Sequence, residues 1–248
     1  MCIRDRRGSF AVLVKALAER IEALGGRLAM TDPVRRIDPQ PNGTFEVHTR
    51  SGTTQCERTL AAIPVPDFLA TAGHAVNPDE REVLSRLRAT SALCTVLELK
   101  RSLTPYYWLN IADGSMPFGG LIEHTNYISR QRYGGTHILY ISNYVLPDDP
   151  ALRENKASML ETYIPGLKRV NPEFERDWII ASHHFRADYA QPVITTGYRH
   201  SVPTTRTSVD NLYFSSMAHI YPEDRGQNYA VLQGDQVARQ MLEDAGTV

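Results

Sequence analysis

Apolar residues recur at helical spacing after Ser9: Phe10, Leu13, Val14, Leu17, Ile21 and Leu24. Three- and four-residue steps put them on one face of a helix, with Ser9 as its N-cap. Gly25-Gly26 follows, and glycine accepts the left-handed conformation that ends helices. The pattern then shortens to strand-like runs at 27–30, 34–38, 45–49 and 58–63. Asn42-Gly43 sits between two of these runs and predicts a hairpin turn. Pro64 and Pro66 are expected to stop the last run.

Residues 79–88 read as a polar helix. Strands are expected at 93–100, 108–111, 120–123 and 137–145, where β-branched and aromatic residues concentrate. Asp149-Pro150 predicts a helix start, with Asp as cap and Pro in the first turn, running to about Tyr163 before Pro165-Gly166. Strands follow at 178–185 and 211–215. Ala230, Val231, Val237, Ala238, Met241 and Leu242 form the apolar face of a last helix.

Composition narrows the function classes. The 248 residues are 42% hydrophobic and 22% charged, ordinary values for a soluble globular chain. Lys and Arg number 27 against 28 Asp and Glu, so no charge excess calls for nucleic acid. No apolar run reaches the ~20 residues of a membrane-spanning helix. The three cysteines, Cys2, Cys56 and Cys94, form no C-x-x-C and read as reduced thiols, which suits a cytoplasmic protein. No metal site is expected. Residues 1–6 look like translated sequencing adapter, so the native start is expected further upstream.

Two segments carry the chemistry. The first runs from Gly8 through Gly25-Gly26 and Val34-Arg35-Arg36-Ile37 to Ala61-Ala62-Ile63-Pro64. The second is Asn211-Leu212-Tyr213-Phe214-Ser215-Ser216-Met217, then Tyr221-Pro222-Glu223-Asp224-Arg225-Gly226-Gln227-Asn228-Tyr229-Ala230-Val231, then Gly234. Their order and spacing resemble the FAD-binding domain of the flavin amine oxidase and protoporphyrinogen oxidase superfamily, above all its bacterial protoporphyrinogen-oxidase-like NAD(P)/FAD-dependent oxidoreductases. Tyr107-Trp108-Leu109-Asn110, Glu123-His124-Thr125-Asn126 and Tyr189-Ala190-Gln191-Pro192 extend the likeness through the middle of the chain.

The resemblance implies an α/β fold: part of a Rossmann-like FAD domain at 8–66 and 201–248, and a mixed α+β substrate domain at 67–200. It implies FAD as cofactor and a small-molecule substrate from which a hydride or two electrons pass to flavin. It places Arg225, Gly226, Gln227, Asn228 and Tyr229 beside the flavin. Ser216 and Met217 fall where relatives often carry Gly-Glu near the ribose or pyrophosphate. Val34 matches a position whose backbone meets adenine, and Pro64 closes the strand that leads to the site. The dinucleotide fingerprint G-x-G-x-x-G is absent from all 16 glycines. The chain is therefore expected to be a fragment that lacks the N-terminal βαβ unit and is weak or inactive alone.

No residue stands out as catalytic, because flavin carries the chemistry. Glu123-His124 could line a substrate pocket or serve structure. His183 and His184 alternate faces on a strand and cannot share a metal. Tyr221 either faces the ring or packs, and His219 reads as a loop residue. The rival readings are a sugar-nucleotide mutase-like isomerase, with Arg130 and Arg132 on a diphosphate, or a non-enzymatic protein that keeps the fold.

Overall fold

The computed structural model describes residues 11–246. They form two compact units, one from residues up to Leu87 together with those from Ile194, the other Arg88–Val193.

The first unit opens with α1 (Ala11–Ala23), which has no buried residue. The Ser9 cap and Phe10 lie outside the described residues. Gly25 takes φ 86° and closes the helix as expected. Residues 27–30, read as a strand, form none: Asp32 instead ties this loop to the turn ahead, accepting from Thr49 Oγ1 (2.9 Å) and the Ser51 amide (3.0 Å). β1 (Val34–Pro39), β2 (Phe45–Thr49) and β3 (Thr53–Cys56) make an antiparallel meander. Gly43, at φ 82°, turns the first hairpin.

β4 (Thr59–Ala61) pairs in parallel with β10 (Leu212–Phe214), Leu60 opposite Tyr213. Parallel partners need a long crossover, which the intervening chain supplies. Phe214 is fully buried and stacks on Phe68, ring centroids 4.2 Å apart. Phe68 belongs to α2 (Val65–Ala72), a helix where the two prolines suggested only a stop. Pro64 is its N-cap and Pro66 lies in its first turn, where a missing N–H costs nothing. α3 (Pro78–Ser85) is capped by Asn77, which accepts the Glu80 amide at 2.8 Å. α5 (Gln227–Asp244) ends the unit, its last turn held by Arg206, which pairs with Asp244 at 2.7 Å.

The second unit is a five-stranded antiparallel sheet in the order β6 (Trp108–Asn110), β7 (Gly120–Glu123), β8 (His137–Val145), β5 (Ala89–Leu99), β9 (Ile179–Pro192). Along β5, Ser91, Leu93, Thr95, Leu97 and Leu99 are buried while their neighbours are half-exposed. That alternation covers one sheet face with α4 (Lys156–Val170). Leu97, Leu139, Ile141 and Leu167 there are fully buried, each worth ~1.5–3 kcal/mol of transfer free energy.

α4 corrects the expected start and stop. Asp149-Pro150 begins only a short 3-10 turn, and Asn155 caps the helix proper. Pro165-Gly166 then lies inside the helix. Gly166 is needed there: a Cβ would sit 2.9 Å from the Phe118 ring, so only glycine lets the helix close on that side chain.

Candidate functional site

β10 brings the chain into the first unit as a fully buried strand. Ser216 then caps a 3-10 turn of residues 217–219, its hydroxyl accepting the Ala218 amide at 3.2 Å. Its own N–H donates to His219 Nδ1 at 3.1 Å. An accepting Nδ1 leaves the proton of the neutral imidazole on Nε2. Burial holds His219 below the ordinary histidine pKa, against opposing contacts to the Thr204 and Ser216 backbones. The ring packs edge-on to Phe214, centroids 5.1 Å apart. His219 is thus a built-in neutral group rather than a plain loop residue.

After the cis Tyr221–Pro222 bond, Gly226 is the N-cap of α5 and carries no side-chain cap. Gln227, Asn228 and Tyr229 form the first turn, whose N–H groups point out of the helix with its positive dipole end. Gly226 has φ −167° and ψ 161°, an extended conformation open to any residue. Backbone strain therefore does not call for glycine here. A Cβ would meet the end of the exposed Asn228 side chain at 2.7 Å, so a larger residue needs that flexible side chain to swing aside.

A cleft of about 290 Å³ opens beside this helix start, lined by His219, Ile220, Tyr221, Glu223, Tyr229, Leu232, Gln233 and Gln236. Tyr221 both faces it and packs on Tyr198, 5.6 Å between centroids. Leu232, Gln233 and Gln236 escaped the sequence reading, although they stand three, four and seven residues beyond Tyr229, the spacing of one helix face. Exposed helix-start donors and an aromatic wall are a donor set that suits the anionic edge of a planar ring. Arg225 is half-buried just ahead of Gly226. Val34 opens β1 with 42% of its surface exposed, and Pro64 caps α2.

In the second unit, the sheet face away from α4 carries Ala92, Cys94 and Val96 of β5. The register sets them beside Tyr144, Ser142 and Tyr140 of β8 and Ala187, Phe185 and His183 of β9. Tyr144 is 50% exposed and Phe185 58%. His183 pairs with Glu98 on this face (3.1 Å), whereas His184 bonds Thr95 on the other (2.8 Å), so the two histidines diverge as their alternation requires. Glu123 and His124 are buried, and His124 Nε2 lies 2.7 Å from the Tyr133 hydroxyl. Cys56 and Cys94 are free thiols. Among the described residues no group of three or more His, Cys, Asp or Glu could hold a metal, and no helix is long and apolar enough to cross a membrane.

The family model described as flavin containing amine oxidoreductase matches residues 2–242. No curated protein matches the chain. Among solved structures, a proposed protoporphyrinogen oxidase from Exiguobacterium sp. 255-15 is similar at TM-score 0.75 and 13% identity, over 93% of this chain and 51% of that one. A putrescine oxidase triple mutant gives 0.71 and 14%, over 95% and 53%. Reduced UDP-galactopyranose mutase gives 0.62 and 17%, over 79% and 43%. At such identities the likeness speaks for the fold. The chain spans about half the length of these neighbours.

Proposed function

The chain belongs to the flavin containing amine oxidoreductase family, and from that premise we propose that it is part of an FAD-dependent oxidoreductase that takes a hydride or two electrons from an organic small molecule. The observation that carries this reading is the uncapped start of α5 at Gly226, followed within one turn by Tyr229 on a cleft that also holds Tyr221, Glu223, Gln233 and Gln236. Bound there, FAD would supply the two-electron acceptor.

The residues supply position and electrostatics. The free N–H groups of Gln227, Asn228 and Tyr229 favour negative charge on the ring edge by ~0.3–2 kcal/mol. Gly226 leaves room for close approach. Tyr221 and Tyr229 would flank the ring, with Arg225 beside it. Met217 would meet the ribose or pyrophosphate through its backbone N–H, on a turn held by Ser216, whose hydroxyl, N–H and carbonyl are all engaged within it. Val34 would offer its main chain to adenine, and Pro64 would end the strand leading in. β4 and β10 are read as the surviving core of a Rossmann-like sheet, supported by their parallel pairing. The open face of the five-stranded sheet, with Tyr144 and Phe185, is the candidate substrate surface.

The mutase-like alternative needs basic residues on a diphosphate, and its Arg130 and Arg132 lie on the turn between β7 and β8 rather than on this face. Arg186 of β9 turns away from it and donates to the Leu152 carbonyl at 2.8 Å. A diphosphate would find no guanidinium among the face residues named above. A scaffold without enzymatic activity remains the other outcome of the test.

In the intact protein, Gly226→Val should abolish the yellow colour, and Cys94→Ser should leave it unchanged. Valine is at ease in extended backbone, so the loss would report space at the helix start rather than strain. Flavin absorbance retained through gel filtration, with turnover on an artificial electron acceptor, reads the result. A Gly226→Val protein that holds flavin and turns over normally removes this site from the reading. A colourless wild-type protein removes the function.

A further inference from the structure

The turn between β7 and β8 carries a chain of polar groups that the flavin reading leaves unused. Glu123, the last residue of β7, has a fully buried carboxylate. It accepts the backbone N–H groups of Leu103 (3.0 Å) and Thr104 (2.8 Å). Its Oε1 lies 3.7 Å from Nδ1 of His137, the first residue of β8. On the far side of that ring, Nε2 lies 3.3 Å from Arg130 Nη1.

A guanidinium can only donate. Nε2 must therefore keep its lone pair, and the imidazole proton sits on Nδ1, which is buried, makes no hydrogen bond and faces the carboxylate through charge alone at 3.7 Å. Burial, and after it the Arg130 charge, hold His137 below its ordinary pKa, in keeping with a neutral ring.

This arrangement fixes Arg130 without neutralising it. Arg36, Arg86, Arg169, Arg176, Arg206 and Arg239 are each bonded directly to a carboxylate. Arg130 is held instead by an uncharged acceptor, and its residue is exposed on the turn. A positioned guanidinium held by an uncharged acceptor is suited to a planar or tetrahedral oxyanion on a small molecule.

We propose that Arg130 is an oxyanion-binding residue for a phosphate- or carboxylate-bearing small molecule, with His137 and Glu123 as its positioning residues.

The test is NMR on the 248-residue chain, labelled with ¹⁵N at histidine and arginine. The His137 ring should show the Nδ1–H tautomer. Inorganic phosphate, titrated against chloride at constant ionic strength, should shift the Arg130 Nε–H signal saturably. Acetate in a parallel titration separates a carboxylate site from a phosphate site by which of the two saturates. Arg130→Gln should abolish the effect. His137→Phe should weaken binding at least ~10-fold, as loss of a positioned charge-assisted contact does, whereas Arg132→Gln should change it less than ~3-fold. An Nε2–H tautomer overturns the proposal, and it is read on wild-type protein whatever the variants do. So does an Arg130 shift that saturates with neither anion or is no larger than that of Arg132, or undiminished affinity in His137→Phe.

Discussion

Two buried side chains show how single residues set the energetics of the second unit. The Tyr163 ring is 1% exposed and packs edge-on to Phe118, 5.6 Å between centroids, yet its buried hydroxyl makes only a weak contact with Thr95, outside normal hydrogen-bond geometry. Burial pushes its pKa up to about 12. A hydroxyl so weakly paired has already lost its water, so Tyr163→Phe should be neutral or stabilising, within ~1 kcal/mol, by denaturant unfolding. A loss above ~2 kcal/mol would mean the hydroxyl is fully paired. Glu123 works the other way. Its burial raises the carboxyl pKa above the ordinary 4.5, against the lowering effect of the Ser102, Thr104 and Leu103 contacts. A folded pKa above the unfolded one means the folded state holds the proton longer. The stability this group contributes is complete below pH 4.5 and is lost as pH rises through its folded value. Unfolding free energy measured from pH 4.5 upward should therefore fall less steeply in Glu123→Gln than in the parent. Equal slopes would refute the assignment. Residue identity alone suggested Glu123 and His124 as either pocket or structural groups. Their burial, and the loop amides that Glu123 accepts, came only from the fold.

At the scale of elements, a 3.6- or 2-residue repeat marks α1, β1, β2, β5, β8 and α5 in the sequence, although Val237 is the buried residue of α5's expected apolar face. β3, Thr53-Thr54-Gln55-Cys56, has no apolar alternation and escapes it. The sequence pattern also misleads where proline and glycine have two meanings. Pro64-Val65-Pro66 was read as a stop and is a helix start; Pro165-Gly166 was read as a helix end and lies within α4. Burial decides the second case, because the helix gains the Phe118 contact at Gly166. The opposite situation holds for α1, whose Val14, Leu17 and Leu24 are 65%, 53% and 68% exposed. A 13-residue helix that buries none of its residues relies on local hydrogen bonds, and such helices are marginal. In hydrogen exchange by mass spectrometry, α1 amides of the isolated chain should exchange orders of magnitude faster than those of β5. Comparable protection would show that α1 has a stabilising partner.

For the whole molecule, the expectation concerns the missing fingerprint. The sequence has no G-x-G-x-x-G, and the chain spans about half of its structural neighbours. We expect intact versions of the gene to encode that motif between a strand and a helix, upstream of Gly8 in the reading frame. Sequencing upstream decides it; a start codon with a ribosome-binding site directly before Gly8 would end the idea. Local sequence by itself determined the main helices and strands, the glycine turns at Gly25 and Gly43, and the divergent faces of His183 and His184. Each of these depends on neighbours a few residues away. Only the tertiary structure decided that Thr59–Ala61 lies beside Leu212–Phe214, that Gln233 and Gln236 share a cleft with His219, and that Gly226 sits in extended backbone open to any residue. Those facts rest on contacts between groups far apart in the chain or turned toward one another by packing, and no repeat along the sequence encodes them.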